Sequence, residues 1–276
     1  MATIAAPLTA APPRGLAATA FLAMLRRDLV VTGREFVPFL LQALMQPLFF
    51  LFIFGKVLPG SHLAAGNFAP LMLPGIVALT GMIAAMQGVT LPLVLDLGFA
   101  REIDDRLLSP LPVWCVPLEK VLFAAMRGTI ASSVIFPLAW WILGTGFAVR
   151  TDRIGILIGM IILTAFVGST VGLLMGTVIK PEQISLMFTL IFTPLLFTGC
   201  TYYPWGALGN IRWFQIATLF NPLTYASEGL RYAMVPPANG MELRTIGLFW
   251  TLLAMCASVA TMFAIGTRTF RRRVVT

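Results

Sequence analysis

The sequence predicts an all-α membrane protein with six transmembrane helices, and two observations lead to that prediction. Of the 276 residues, 58% are hydrophobic and only 11% are charged, whereas soluble domains average about 25% charged residues. Apolar blocks of about 20 residues recur along the chain, and each is long enough to cross a hydrocarbon core as a helix. We therefore expect lipid to be the solvent for most of this protein.

Six apolar blocks are the predicted spans, and they leave no room for a second, soluble domain. Residues 35–276 are predicted to form one six-span domain, preceded in residues 1–34 by a disordered tail and an amphipathic interfacial helix. The predicted spans are Phe36–Gly55, Phe68–Leu95, Gly128–Val149, Ile154–Ile179, Ser185–Cys200 and Thr245–Gly266.

The distribution of basic residues predicts that both chain termini lie in the cytosol. With the N-terminus inside, 13 of the 19 Lys and Arg residues fall in inner segments, in agreement with the positive-inside rule. Two inner termini require an even number of spans, which agrees with six. Anionic lipid of the inner leaflet accounts for the net charge of +8, so nucleic acid is not expected as a partner.

Residues 15–34 are predicted to form a basic amphipathic helix that lies flat in the inner interface. At about 100° per residue, Arg26 and Arg27 face away from the apolar side. The helix either serves only as a membrane anchor or also contacts a cytosolic partner. Its apolar side consists of Phe21, Leu22, Leu25 and Leu29.

A charged amphipathic segment, residues 96–112, separates the second and third predicted spans. It contains four of the chain's 11 acidic residues, and Pro110 and Pro112 end its predicted helix. A helix that only rests on the negative inner leaflet should favour Lys and Arg. The acids therefore favour contact with a basic protein partner over a loop that only orients the spans. They are Asp96, Glu102, Asp104 and Asp105, and Glu119 follows shortly after.

Residues 201–239 are predicted to form an outer re-entrant pair of short helices. Asn221 is a good helix N-cap and Pro222 a good first helical residue, but the predicted helix Pro222–Met234 would be only about 20 Å long. Glu228 and Arg231 are predicted to pair, either to fix this helix or to gate the substrate, and a shorter helix is predicted at Asn210–Leu219. The segment is rich in aromatic residues that favour the interface: Tyr202, Tyr203, Trp205, Trp213, Phe214, Phe220, Tyr225 and Tyr232.

Three polar residues of the predicted spans have two open interpretations each. Gln42 and Gln46 share one helix face, and they either line a substrate path or hold two helices together. Arg127, at the inner end of the third predicted span, either lines that path or extends to the inner interface.

Gly168, Gly172 and Gly176 of the fourth predicted span allow close helix packing, either within one subunit or between two.

Two motifs resemble one family. The run REIDDRLLSPLP, followed by Val113-Trp114 and a new span at Glu119-Lys120, resembles the coupling helix of type-2 permeases of ATP-binding-cassette exporters. The run NPLTYASEGLR, residues 221–231, resembles the outer re-entrant motif of the same family. The resemblance covers nearly the whole chain from about residue 20, and it is closest to the daunorubicin-resistance permeases.

The resemblance implies a permease that dimerises, with itself or with a sibling permease, and exports a hydrophobic, amphipathic or lipid-like molecule across a bacterial plasma membrane. A separate cytosolic ATPase would bind ATP and magnesium, because this chain has no G-x-x-x-x-G-K-[ST] phosphate loop. The permease itself would hold no cofactor and catalyse no reaction. The implied ATPase contacts are Arg101, Glu102, Asp104, Asp105 and Arg106, with Arg26, Arg27 and Arg34 of the N-terminal helix. The implied outer helix residues are Asn221, Pro222, Tyr225, Glu228 and Arg231.

Two other function classes fit the sequence less well. An ion-coupled transporter needs carboxylates near the membrane midplane, and no predicted span contains one there. A membrane enzyme needs a nucleophile with its base, or a metal cluster, and the spacing of cysteines, acids and the single histidine predicts neither.

Overall fold

The computed structural model describes residues 19, 22–28, 30, 33, 36–58, 69–97, 112–144, 149–236 and 245–275, except for the side chains of residues 69, 185–188 and 275. Within these ranges the chain forms α-helices, short 3-10 or π-helical turns and loops, with no strand. Five of the helices are long and apolar enough to cross a membrane. The protein is therefore an all-helical, multi-pass membrane protein.

Eight α-helices of the described chain are numbered here in chain order. A π-helical turn, Ile53–Val57, extends the first helix, and 3-10 turns precede the fifth and sixth at Pro181–Gln183 and Trp205–Asn210. The helices are α1 (Phe36–Phe52), α2 (Ala69–Leu95), α3 (Cys115–Leu143), α4 (Ile154–Val178), α5 (Ile184–Thr198), α6 (Arg212–Thr218), α7 (Pro222–Met234) and α8 (Leu248–Val275).

The third helix begins at Cys115 rather than at Gly128, so the start predicted from hydropathy was wrong, whereas the new span that the resemblance places at Glu119-Lys120 agrees with this helix. Its first turns contain Glu119 and Lys120, whose charges led the hydropathy pattern to exclude them. Both side chains are nevertheless buried, and Lys120 pairs with acids from other segments. The helix ends at Gly144, whose positive φ of 55° favours glycine.

The fifth predicted span corresponds to α5, which has 15 residues. At 1.5 Å per residue such a helix is about 22 Å long, short of the roughly 20 residues that a full crossing needs. Six spans therefore remain a prediction, while five helices meet the length criterion.

Helix α2 is the centre of the bundle, and it packs against α3, α4 and α7. In an 18-residue apolar stretch of α2, 78% of the residues are buried, compared with 22% in the corresponding stretch of α1 and 11% in that of α8. Pro74 and Pro92 lie inside α2, and the helix is continuous through both. The side chains of α1 and α8 are thus the most accessible to lipid or to a second subunit.

The glycine stripe of α4 packs against α2 of the same chain. A Cβ atom added to Gly172 would lie 2.5 Å from the carbonyl oxygen of Met86, and one added to Gly176 would lie 3.0 Å from the Leu93 side chain. The Thr90 hydroxyl donates to the Gly172 carbonyl at 3.1 Å. The stripe therefore brings two backbones of one subunit together.

We expect Gly172→Ala to destabilise the protein, because the added methyl group would meet backbone atoms of α2 that cannot move independently. Overpacking of this kind costs about 1–3 kcal/mol. Gly159→Ala on the same helix is the matched control, since nothing lies within 4 Å of its added Cβ. Thermal unfolding of the purified protein in detergent should separate the two variants, and equal melting temperatures would contradict this account of the packing.

Candidate functional site

Helix α7, which the sequence predicts to lie on the outer side, has the local structure that its sequence predicts. Its bounds, Pro222–Met234, are those expected, and the side-chain oxygen of Asn221 accepts a hydrogen bond from the Leu223 N–H at 2.9 Å. The Asn221 amide also donates to the Leu195 carbonyl and to the Thr198 hydroxyl, both at 2.9 Å. One residue therefore begins α7 and joins it to the end of α5.

Arg231 and Glu228 form an ion pair that is fully buried, with 2.6 Å between Nη1 and Oε1. Arg231 also donates from Nε to the Leu71 carbonyl at 3.0 Å and from Nη2 to the Cys200 carbonyl at 2.6 Å. The Trp205 N–H donates to Glu228 Oε1 at 2.9 Å. This pair thus joins α7 to the start of α2 and to the segment that follows α5.

Cys200 has a φ of 50°, which is uncommon for a residue with a side chain. Hydrogen bonds hold the backbone on both sides of it, because Ser227 Oγ donates to the Gly199 carbonyl at 2.9 Å and Arg231 Nη2 to the Thr201 carbonyl at 3.1 Å. The turn after α5 therefore owes its shape to polar residues of α7.

The loop before α4 also contacts α7, near the C-terminal end of that helix. The Arg150 N–H donates to the Met234 carbonyl at 3.1 Å, and the Arg153 guanidinium lies 4.1 Å from the centre of the Tyr232 ring. The exposed Asp152 pairs with Arg150 at 2.7 Å, and this hydrogen bond lowers the pKa of the Asp152 carboxyl. Tyr225 is half-buried and packs against the main hydrophobic core.

The three residues predicted for a substrate path meet at two adjoining cavities beside α2. The larger cavity, of about 510 Å³, is lined by Gln42, Gln87 and Arg127 among other residues. The smaller one, of about 70 Å³, is lined by Gln42, Gln46 and Gln87. The cavities therefore offer amide and guanidinium groups within an otherwise apolar region.

Arg127 lies within the helix rather than at its inner end, which corrects its predicted position. Since α3 begins at Cys115, Arg127 is about two turns, or ~10 Å, further along the helix than Lys120. Its guanidinium lies 4.2 Å from the centre of the Phe39 ring, a cation–π contact. The structure thus places Arg127 at the cavity, beside an aromatic ring of α1.

A second group of buried charges lies at the opposite end of the bundle, where α2 ends and α3 begins. Lys120, 6% exposed, lies 3.3 Å from Asp28 and 3.7 Å from Asp96. We call these three residues the inner ion cluster. Asp96 directly follows α2, and Asp28 belongs to the helical residues 22–28, so the cluster joins three segments.

The residues with an implied ATPase contact are only partly described. Arg26 and Arg27 are exposed on residues 22–28. Asp96, which the sequence grouped with the partner-facing acids, instead pairs with Lys120 inside the protein. The other implied contacts lie outside the described residues: Arg34, Arg101, Glu102, Asp104, Asp105 and Arg106.

Sequence reasoning missed Gln87 and the partners of Lys120. Gln87 lines both cavities, and its signal was present, since an amide in the middle of a predicted span is costly unless it has a polar partner. Lys120 and Asp28 are 92 residues apart in the chain, and no local sequence pattern predicts such a pairing.

We expect Arg231→Met to be strongly destabilising, by about 3–5 kcal/mol, because it would leave the Glu228 carboxylate buried without its partner. The double variant Glu228→Met/Arg231→Met should be less destabilised, since it leaves no charge behind. Asp152→Asn, which removes the charge of the exposed member of the pair with Arg150, should change the melting temperature little. Unfolding of the purified variants measures all three, and a double variant less stable than Arg231→Met would contradict this view.

Comparison with known proteins gives the family. No curated protein matches this chain significantly. A family model described as ABC-2 type transporter matches residues 19–235, which include the helical residues before α1, the inner ion cluster, the cavities and the whole of α7. Since this match covers most of the chain, the protein belongs to the ABC-2 type transporter family and is the membrane subunit of an ABC transporter.

Proposed function

We propose that this chain is the permease of an exporter that moves a hydrophobic, amphipathic or lipid-like molecule, such as a drug, an antibiotic or a lipid, outward across a bacterial plasma membrane. A separate cytosolic ATPase supplies the energy, as in the daunorubicin-resistance permeases. The observation that supports this proposal best is the inner ion cluster, because Asp96 precedes residues 98–111, which belong to the proposed coupling segment, and Lys120 follows them in the chain.

The inner ion cluster links the helices on either side of the coupling segment, α2 and α3. Asp96 precedes the segment and Lys120 follows it, and their side chains pair at 3.7 Å. Asp28 brings residues 22–28 to the same lysine. A force applied to residues 98–111 would therefore act on α2, α3 and the N-terminal helix together, and such a unit moves as a rigid body.

The charges of the coupling segment suit a basic groove on the ATPase. Glu102, Asp104 and Asp105 lie between Arg101 and Arg106, and charge complementarity sets both the specificity and the rate of association. ATP and magnesium would be held by the ATPase alone. Nucleotide would act on the permease only because the two states of the ATPase bind nucleotide with different affinities.

The cavities beside α2 are the proposed substrate path. Their walls combine the aromatic rings of Phe39 and Phe192 with Gln42, Gln87 and Arg127. A volume of about 510 Å³ is within the usual range for small-molecule sites. Apolar walls with a few polar groups suit an amphipathic molecule.

A second permease copy is the proposed partner within the membrane. Helix α1 borders the cavities, yet only 22% of the residues in its apolar stretch are buried within one chain. Large apolar side chains project from it over most of its length, and a second copy or lipid would cover them. The exposed residues include Val37, Leu41, Met45, Phe49 and Phe52.

Charge reversal of the coupling segment tests the proposed function. We expect Asp104→Arg/Asp105→Arg to reduce both the association of the permease with its ATPase and substrate efflux, because like charges would then face the basic groove. Asp152→Arg, an exposed acid at the other end of the bundle, is the control for a change of charge alone. Unchanged co-purification and unchanged efflux in the double variant would refute the proposed coupling.

Lys120 tests whether the inner ion cluster transmits the motion. We expect Lys120→Met to keep its ATPase but to lose most transport, because the ends of the coupling segment would no longer be held together. Lys120→Arg should restore transport, since it retains the charge. Transport and co-purified ATPase are measured on the same preparation of folded complex, and wild-type transport by Lys120→Met would contradict the role of the cluster.

A further inference from the structure

A groove at the inner end of the bundle, unrelated to the cavities, lies between the start of α3 and the last turns of α8. Its volume is about 570 Å³. Trp114, at its edge, is 52% exposed, and both arginines of the groove are exposed. The lining residues are Val113, Trp114, Phe263, Ala264, Thr267, Arg268 and Arg271.

The groove residues of α8 occupy one side of that helix. At about 100° per residue, Phe263, Thr267 and Arg271 form a stripe along the axis, and Arg268 lies beside it. The face on the Phe263 side of this stripe packs against the bundle, where Phe270 is fully buried and a Cβ on Gly266 would meet the Leu173 side chain. The two guanidinium groups of the groove therefore belong to the outward-facing side of α8.

The end of α8 is held firmly against the bundle. Arg273 Nη1 donates to the Thr177 carbonyl at 3.1 Å and to the Ile179 carbonyl at 3.3 Å, at the end of α4. Phe263 and Val113 pack on a buried apolar cluster that contains Phe270 and Leu173. The groove thus has an apolar floor that packs on the bundle, and its two arginines belong to a helix whose last turns are held in place.

The chemistry of the groove matches an anionic lipid. Two guanidinium groups one helical turn apart can both donate to a phosphodiester, and none of the lining residues is acidic. Phe263, Ala264 and Val113 offer an apolar surface to an acyl chain. A tryptophan at the edge suits the depth of the glycerol region, and positive charge predicts that this end faces the anionic inner leaflet.

We propose that this groove binds one anionic phospholipid of the inner leaflet. Its phosphodiester lies between Arg268 and Arg271, and the first part of an acyl chain packs against Phe263 and Val113. The lipid then bridges the start of α3, which follows the coupling segment, and the end of α8.

The test is a titration of the purified full-length chain with phosphatidylglycerol, and separately with phosphatidylcholine of the same acyl chains, followed by native mass spectrometry. We expect the wild type to retain one phosphatidylglycerol in preference to phosphatidylcholine. Arg271→Gln should weaken phosphatidylglycerol binding about fivefold, and Arg268→Gln/Arg271→Gln by more than tenfold, as expected for loss of one and two charges near the lipid surface.

Arg272→Gln is the matched control, because it removes the same charge from the neighbouring residue, which does not line the groove. Its affinity for phosphatidylglycerol should stay within about twofold of the wild type. Equal losses in Arg271→Gln and Arg272→Gln would overturn the proposal, since diffuse attraction would then explain the binding. Wild-type affinity in the double variant would also overturn it. So would a double variant that loses its ATPase while keeping its lipid, because the groove would then be a protein contact.

Discussion

The buried ion pair between Arg231 and Glu228 is the constraint on which the outer half of this protein depends. Removing a guanidinium and a carboxylate from water costs several kcal/mol for each, unless pairing and hydrogen bonds compensate. Here Arg231 donates to the carbonyls of Leu71, Cys200 and Thr201, and Glu228 Oε1 accepts from the N–H of Trp205. Glu228 Oε2 is buried without a hydrogen-bond partner among the described residues. The start of α2, the turn after α5 and the outer helix α7 must therefore keep their relative positions for the charges to stay satisfied.

Each end of the bundle is held by a buried basic side chain, Arg231 at one end and Lys120 at the other. The outer end is joined by hydrogen bonds to backbone carbonyls, which leave its segments little freedom. The inner end is joined by Lys120, which links two acids from separate segments. Between the ends, α2 and α4 approach closely along the glycine stripe of α4. Close-packed interiors transmit strain, and under the proposed function a movement of the inner end would displace α2 and α4 together.

Where the determinants are local, the sequence was sufficient to predict the structure. The bounds of α7 follow from Asn221 and Pro222, and the pairing of Glu228 with Arg231 follows from their i, i+3 spacing. Gln42, Gln46 and Arg127 were predicted as candidates for one path, and they do line adjoining cavities. Gln87 was not predicted, because which face of a buried, uniformly apolar helix meets a cavity depends on the helices packed around it.

By itself, the sequence determined the helical class, the lipid environment, most of the long helices and the outer helix α7, since length, hydropathy and capping residues act within a few turns. The tertiary structure alone decided what Asp96 does and how the charges at the start of α3 are buried. A hydropathy pattern assigns Glu119 and Lys120 to water, whereas both are buried in the structure. The fold places Asp28 and Asp96 beside Lys120. The cost of burying a charge depends on its partners, and these partners come together only when the distant segments of the chain have packed.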